Sequence, residues 1–278
     1  MSTYAGNEVF DMVDERGWRR GLGNLWQGEF SSWFKSSRWW KHIVMWLLIV
    51  NLMLLFTAIG LNEGAKQAAA AGEPPPAVDT LMLYGIFGGM FVAIGVMIIV
   101  QGAIVGEKRS GTAAWVLSKP VTRTAFVVSR LVGNTLGILV TAVLVPGVAA
   151  YLTVGVLTPL GWLPPLDFLA GVAALALSAF FWLTLTLMAG TFFESVGGVI
   201  AVPMVAFFAG WFLPNALPFL VYVSPVILFV GPGGAYPAVL ESLMSGQAPF
   251  SWIPVISTAI LCVVFIAVAI WRFNRQEF

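Results

Sequence analysis

The chain has 278 residues, 59% of them hydrophobic and 10% charged, and a formal net charge of +1. A soluble domain carries roughly a quarter of its residues as charges, and its surface needs more polar cover than this sequence supplies. With a mean hydropathy of +0.90, the composition excludes a water-soluble globular protein and indicates an all-α integral membrane protein.

Residues 1–42 precede the first long apolar run. Within them Leu22, Leu25, Trp26, Phe30, Trp33 and Phe34 recur at helical spacing, with Gln27, Lys35 and Arg38 toward the other side. The pattern predicts an amphipathic helix over about 22–37 that lies in the membrane interface, with its tryptophans at headgroup depth. Such a helix serves either as a plain anchor or as a mechanical elbow leading into the first span.

A membrane-crossing helix takes about 20 mostly apolar residues. Six runs qualify, at about 43–61, 81–105, 131–157, 168–193, 196–213 and 253–271. The stretch 62–80, with Pro74, Pro75 and Pro76, is expected to be a solvated connector stiffened by proline. The segment 214–250 is too apolar for an ordinary loop and contains Pro214, Pro218, Pro225, Pro232, Pro237 and Pro249. Proline-broken backbone at membrane depth must be covered by protein or line a cavity. A re-entrant helical hairpin, or short helices over the outer mouth, is therefore expected there. Residues 272–278 form a tail.

Glycines four residues apart, at Gly85/Gly89, Gly102/Gly106 and Gly133/Gly137, are candidate points of close helix approach. Asn51, Gln101, Asn134 and Asn215, in or near the spans, are expected to make interhelical hydrogen bonds. Lysines and arginines cluster before the first span, after the second and in the tail, while the loop after the first span has Lys66 alone. The positive-inside rule then places both termini in the cytoplasm of a multi-pass inner-membrane protein.

Chemistry-bearing patterns are few. Cys262 and His42 are the one cysteine and the one histidine, which leaves no internal disulfide, no clustered zinc site and no paired haem ligands. No Gly-x-Ser-x-Gly elbow or Gly-x-x-x-x-Gly-Lys-Ser/Thr phosphate loop occurs. The chain is therefore not expected to be an enzyme, to hold a metal or cofactor, or to bind nucleic acid. Asp167 and Glu241, on the outer side, are expected to be solvated charges. Glu194, in the turn after the fourth run, is either a charge that reaches water or a group that couples a proton or ion.

The most informative stretch is the loop 106–130. It contains Gly106-Glu107-Lys108-Arg109-Ser110-Gly111-Thr112 and then Leu117-Ser118-Lys119-Pro120-Val121-Thr122-Arg123. Ser110 or Thr112 is the expected cap of a short helix through Ala113–Leu117, which Pro120 stops. A compact helix-turn, charged at both ends, suits docking onto a soluble partner.

Here the sequence resembles the ABC (ATP-binding cassette) type-2 exporter permeases. Their signature is an acidic residue, a basic pair, Gly-Thr, a short apolar helix and Pro-Val-Ser/Thr-Arg. Glu107, Arg109, Gly111, Thr112, Pro120, Val121 and Arg123 carry the match. Arg130 stands where the family commonly has a lysine, and Asp14-Glu15-Arg16-Gly17-Trp18-Arg19-Arg20 resembles the opening of some bacterial members. The resemblance implies a permease that pairs with a second copy or close paralogue. Each permease receives a nucleotide-binding ATPase subunit, which holds the ATP and Mg, and the loop acts as the coupling helix. Trp26, Phe30, Trp33 and Phe34 would form the apolar side of the interfacial elbow helix. The other classes in play are an integral scaffold subunit and an ion-coupled secondary transporter. The latter usually carries charged residues at the bilayer midplane, and the six runs have none there.

Overall fold

In hydrocarbon, backbone polar groups must be satisfied within the segment that crosses, so apolar runs of this length form helices. The structure, a computed structural model, describes residues 17–72, 80–158, 160–231 and 236–277. It shows a short N-terminal helix α1 (Leu22–Phe34), followed by α2 (Arg38–Ala71), α3 (Thr80–Arg109), α4 (Thr112–Leu117), α5 (Arg123–Leu157), α6 (Pro165–Phe192), α7 (Val196–Ala216), α8 (Val239–Met244) and α9 (Ile253–Asn274). Helices α2, α3, α5, α6, α7 and α9 are long and apolar enough to cross a membrane. No strand occurs among the described residues.

The helices outrun their apolar stretches. Helix α2 continues through the expected connector to Ala71, because its Ala-rich end has the highest helix propensity and Glu63 pairs with Lys66 one turn on, at 2.7 Å. Gly72, at φ 71°, ends it in the left-handed conformation open to glycine. Pro74–Pro76, Asp14–Arg16 and Pro232 lie outside the described residues. Helix α3 is interrupted by a turn over 101–104 before resuming at Val105–Arg109. Wide π turns interrupt α2 at Leu47–Asn51 and α5 at Leu139–Leu144, where these two spans pack together.

Helix α6 is the centre of the bundle. It packs against α3, α5, α7, α8 and α9, and 67% of its apolar window is buried, against 17% for α7 and 22% for α9. Trp182 on α6 is fully enclosed and meets Phe207 of α7 with ring centroids 5.5 Å apart. The outer faces of α7 and α9 show Val205, Phe208, Phe212, Ile256, Ile260 and Val263, apolar side chains suited to lipid.

The described residues of 214–250 form short helical pieces after the end of α7. Two 3-10 turns, Pro218–Tyr222 and Pro225–Leu228, precede α8. The glycines receive them. Phe229 lies on Gly85 and Gly89 of α3, Met244 and Leu240 lie on Gly171 of α6, and the Ser224 hydroxyl donates to the Gly210 carbonyl at 3.0 Å.

Gly133 and Gly137 on α5 likewise make a groove, but for α1: a Cβ at either position would overlap Glu29 or Trp33. The Gly102/Gly106 pair faces open space. Glycine spacing thus marks close approach at two of the three pairs, and in both the visitor is a non-spanning segment. Neither paired asparagine bond between spans forms at the two buried sites: Asn134 donates to the Arg130 carbonyl of its own helix at 2.8 Å, and the Asn51 amide has no partner.

Gly137→Leu should force the Trp33 ring out of its groove and cost about 1–3 kcal/mol, as overpacked cores do. Thermal unfolding of the detergent-purified protein checks this, with Gly106→Ala as the matched change that should leave the midpoint where it is.

Candidate functional site

Thirteen residues of chain separate α3 from α5, yet the loop between them is tied down at both ends. Helix α4 starts at Gly111, whose φ of 74° reverses the chain after α3. Neither Ser110 nor Thr112 caps it. Their hydroxyls bond to each other at 2.8 Å, and the position that a capping side chain would occupy is held by a left-handed glycine. The helix lasts six residues, and the Ser118 hydroxyl closes onto the Trp115 carbonyl at 2.7 Å. Pro120 then turns the chain, exposed to solvent.

Thr122 caps α5, accepting from the Ala125 amide at 3.1 Å. Its hydroxyl also donates to the Trp18 carbonyl at 2.5 Å, and its amide to the Arg20 carbonyl at 3.1 Å. Val121 packs directly on Gly21, which has a φ of 80° and no room for a side chain. The chain just ahead of α1 is therefore bonded to the end of the loop. Arg123 donates to the Asn274 carbonyl at 2.7 Å, and Phe126 stacks on Phe273 with centroids 5.2 Å apart. These two contacts fasten the start of α5 to the end of α9.

Between α1, α3 and α5 lies a charged cluster. The Arg130 guanidinium pairs with Glu29 of α1 and, at 3.1 Å, with Glu107 at the end of α3. Arg130 and Glu29 are largely enclosed, with side chains 18% and 9% exposed, so solvent screens the pair little. Glu107 thus pairs with Arg130 and also hydrogen-bonds the Thr112 side chain at the start of α4.

The outer surface is made by other residues. Trp115 is 65% exposed on α4, with the Lys119 ammonium 5.3 Å from its ring centroid. Beside it a cleft of about 780 Å³ is lined by Lys108, Arg109, Glu194, Arg272 and Arg275 among others. Lys108 donates to the Phe193 carbonyl at 3.3 Å, and Gln276 donates to the Thr191 carbonyl. The α6–α7 turn and the tail therefore share this face.

Of the sequence-predicted residues, Arg109, Gly111 and Pro120 lie on the exposed surface of the loop, and Thr112 is half-buried. Glu107, Val121 and Arg123 instead hold the loop to its neighbours. On α1, Trp33 points into the bundle, whereas Trp26, Phe30 and Phe34 form a neighbouring stripe, with the Phe30 and Phe34 rings 4.9 Å apart. Arg38 is not on the polar side of α1. It begins α2 and lies over the Trp33 ring at 4.2 Å. Two residues escaped the sequence pattern, Glu29 and Trp115. The signals available were the four-residue step Leu25, Glu29, Trp33, matching Gly133 and Gly137, and a lone tryptophan in a six-residue helix.

Residues 24–278 match the profile of the ABC-2 family transporter proteins. The chain belongs to that family. It is also similar to the uncharacterized transmembrane protein YxlG of Bacillus subtilis (strain 168), at 28% identity over 204 residues, which is 72% of this chain and 72% of that protein. The family match takes in α1, the loop, all six apolar helices and the tail, so a multi-pass transporter membrane protein is the frame for the site just described.

Arg130→Leu should leave Glu29 and Glu107 enclosed without a counter-charge and lower stability by about 3 kcal/mol. Arg130→Lys, which keeps the charge but loses the fork that reaches two carboxylates, should fall between. Thermal unfolding of each variant, together with Glu29→Gln/Arg130→Leu, reads the coupling between them.

Proposed function

We propose that this chain is the permease subunit of an ATP-driven ABC exporter, with α4 as the coupling helix seated on a separate nucleotide-binding subunit. The observation that carries the proposal is the mounting of α4. A six-residue helix presents an exposed tryptophan to solvent while the residues on either side of it are bonded to the chain just ahead of α1, to α5 and to α9. Trp115 is the anchor for the partner, since tryptophans that fill a partner's pocket carry a large share of interface energy. Arg109 and Lys119 flank it as charges that orient the approach.

ATP and Mg belong to the partner, where closure of two ATPase subunits would press on α4. The chain offers two routes for that push. One runs through Thr122 and Val121 to the segment before α1, and through Glu107 and Arg130 to Glu29. The other runs through Arg123 to Asn274 at the end of α9. In this scheme α1 is an elbow helix in the inner interface, with Trp26, Phe30 and Phe34 toward lipid. A second permease, identical or closely related, completes the pathway.

Orientation follows from charge. Every described lysine and arginine except Lys66 sits at the end of the bundle that carries α1, α4 and the tail. The positive-inside rule supports a cytoplasmic position for that end, the side on which an ATPase subunit would meet α4.

Trp115→Ala should weaken binding of the ATPase subunit by about 2 kcal/mol, roughly thirtyfold, without lowering the permease's own melting temperature. Co-purification and permease-stimulated ATP hydrolysis measure it. Full stimulation by the variant would remove α4 as the docking element.

A further inference from the structure

The cleft beside α4 gathers more positive charge than the chain neutralises. It has a volume of about 780 Å³, between the end of α3, the α6–α7 turn and the end of α9. Lys108 and Arg109 stand on the α3 side and Arg272 and Arg275 on the α9 side, against Glu194 in the turn and Glu277 in the tail. Four cations therefore face two carboxylates. Among the described residues none of the four is ion-paired, although Lys108 lies within electrostatic reach of both Glu194 and Arg272. At Arg130 the chain supplies its own counter-charges; here it leaves two positive charges over. Like charges held together repel one another, and an anion in the cleft relieves that repulsion.

The same cations sit at the edge of the lipid-facing surface. Ile256, Ile260, Val263 and Trp271 are exposed along α9 at helical spacing, so Trp271 ends an apolar stripe. Tryptophans in that position settle at headgroup level. The Arg275 guanidinium lies over the Trp271 ring, 4.4 Å from its centroid, and that of Arg272 over Phe192 at 5.6 Å. Phe192, at the end of α6, is exposed as well. Both guanidinium groups are thus held at the level of the rings, where the phosphates of the adjoining leaflet lie. Lys108 spends one donor on the Phe193 carbonyl and keeps two for a ligand.

We propose that this cleft binds the headgroup of an anionic phospholipid, with its phosphodiester between Lys108 and the two α9 arginines and its acyl chains along the exposed stripe of α9. The phosphate oxygens accept charge-assisted hydrogen bonds from all three side chains, as in other basic pockets between membrane helices. A zwitterionic headgroup would bring a further cation into a surplus of positive charge. A soluble phosphate ester would meet the same side chains but gain nothing from the stripe. An acidic protein segment would approach from the water side, with no need of rings behind the arginines. This inference stands whether or not α4 docks an ATPase.

Native mass spectrometry of the full-length protein, with phosphatidylglycerol, phosphatidylethanolamine and phosphatidylcholine of identical chains in competition, tests it. Phosphatidylglycerol should be retained about thirtyfold over each of the others, the effect of two surplus cations near the membrane surface. Arg272→Gln/Arg275→Gln leaves two cations against two carboxylates and should bring the three lipids to parity. Arg272→Lys/Arg275→Lys keeps the charges and should keep most of the preference. Lys35→Gln/Lys41→Gln removes as much charge from exposed positions beside α1 and should leave the preference intact. Equal retention of the three lipids by the unaltered protein, or an equal loss in both glutamine pairs, would show only a diffuse basic face. Loss of preference in the lysine pair would separate it from charge. Preference that survives Arg272→Gln/Arg275→Gln would move the site elsewhere, and if that variant also shed a co-purifying ATPase subunit, the cleft would belong to an acidic protein surface. Complete displacement by an equal concentration of glycerophosphoglycerol would assign it to a soluble ester. Each of these results overturns the proposal.

Discussion

The guanidinium of Arg130 holds three helices at one point. Glu29 comes from the short N-terminal helix, Glu107 from the end of the second span, and Arg130 itself from the first turns of the third. Enclosing three charges costs several kcal/mol of hydration for each ion before any attraction is counted. The cost is met only if each charge keeps close partners, and a planar fork can face two carboxylates where an ammonium acts as a point charge. The cluster is therefore poor as a source of raw stability and good as a fixer of position. Without it α1 would retain Trp33 in the Gly137 groove, but would lose the charged link through Arg130 to the end of α3.

That arrangement depends on glycine. Gly133 and Gly137 let α1 approach α5 closely enough for Glu29 to reach Arg130, and Gly21 lets the preceding chain lie on Val121. At the other end of the bundle, Gly85, Gly89 and Gly171 admit Phe229 and Met244 in the same manner. Association in lipid gains little from hydrophobic burial and relies on close packing and polar contacts. A glycine facing a large ring is an efficient way to obtain the first. The consequence is a bundle whose non-spanning pieces are fitted into slots on the spans, leaving the broad faces of α7 and α9 to lipid.

The spans were plain in the sequence because twenty apolar residues without charge have one stable solution in a bilayer. Their ends were not. Helix α2 continues to Ala71 because alanine-rich sequence needs no lipid to stay helical, and hydropathy is blind to that. The short helix in the loop was legible from Gly111, Pro120 and the apolar residues between, but its cap was misassigned: a serine or threonine near a helix start usually caps it, and here a left-handed glycine takes the place. Glu29 was invisible for a different reason. On an amphipathic helix an acidic residue normally marks the wet side, and only its partner on α5, a hundred residues away, reverses that. Glu107 and Arg123 were found by motif and expected at the docking surface, whereas their side chains serve the loop's attachment. Trp115, with its ring in solvent, lies between motif positions.

These attachments bear on how force would travel in a coupled transporter. A short helix that floated on a flexible loop could be displaced without consequence, because each loop residue absorbs motion in its φ and ψ. Here the residues after α4 are bonded to Trp18 and Arg20 on one side and to Asn274 on the other, so displacement of α4 must be shared with α1 and α9. On the α3 side the chain is different. The turn over 101–104 interrupts that helix just above Glu107, and Gly102 there faces open space. Where that turn ends, however, Ile104 and Val105 are fully buried, Ile104 against Gly190 of α6 and Val105 among Ala189 of α6 and Val199 of α7. The α3 flank is therefore held by packing where the α5 flank is held by hydrogen bonds, and a push on α4 would be passed to the centre of the bundle as well as to α1 and α9.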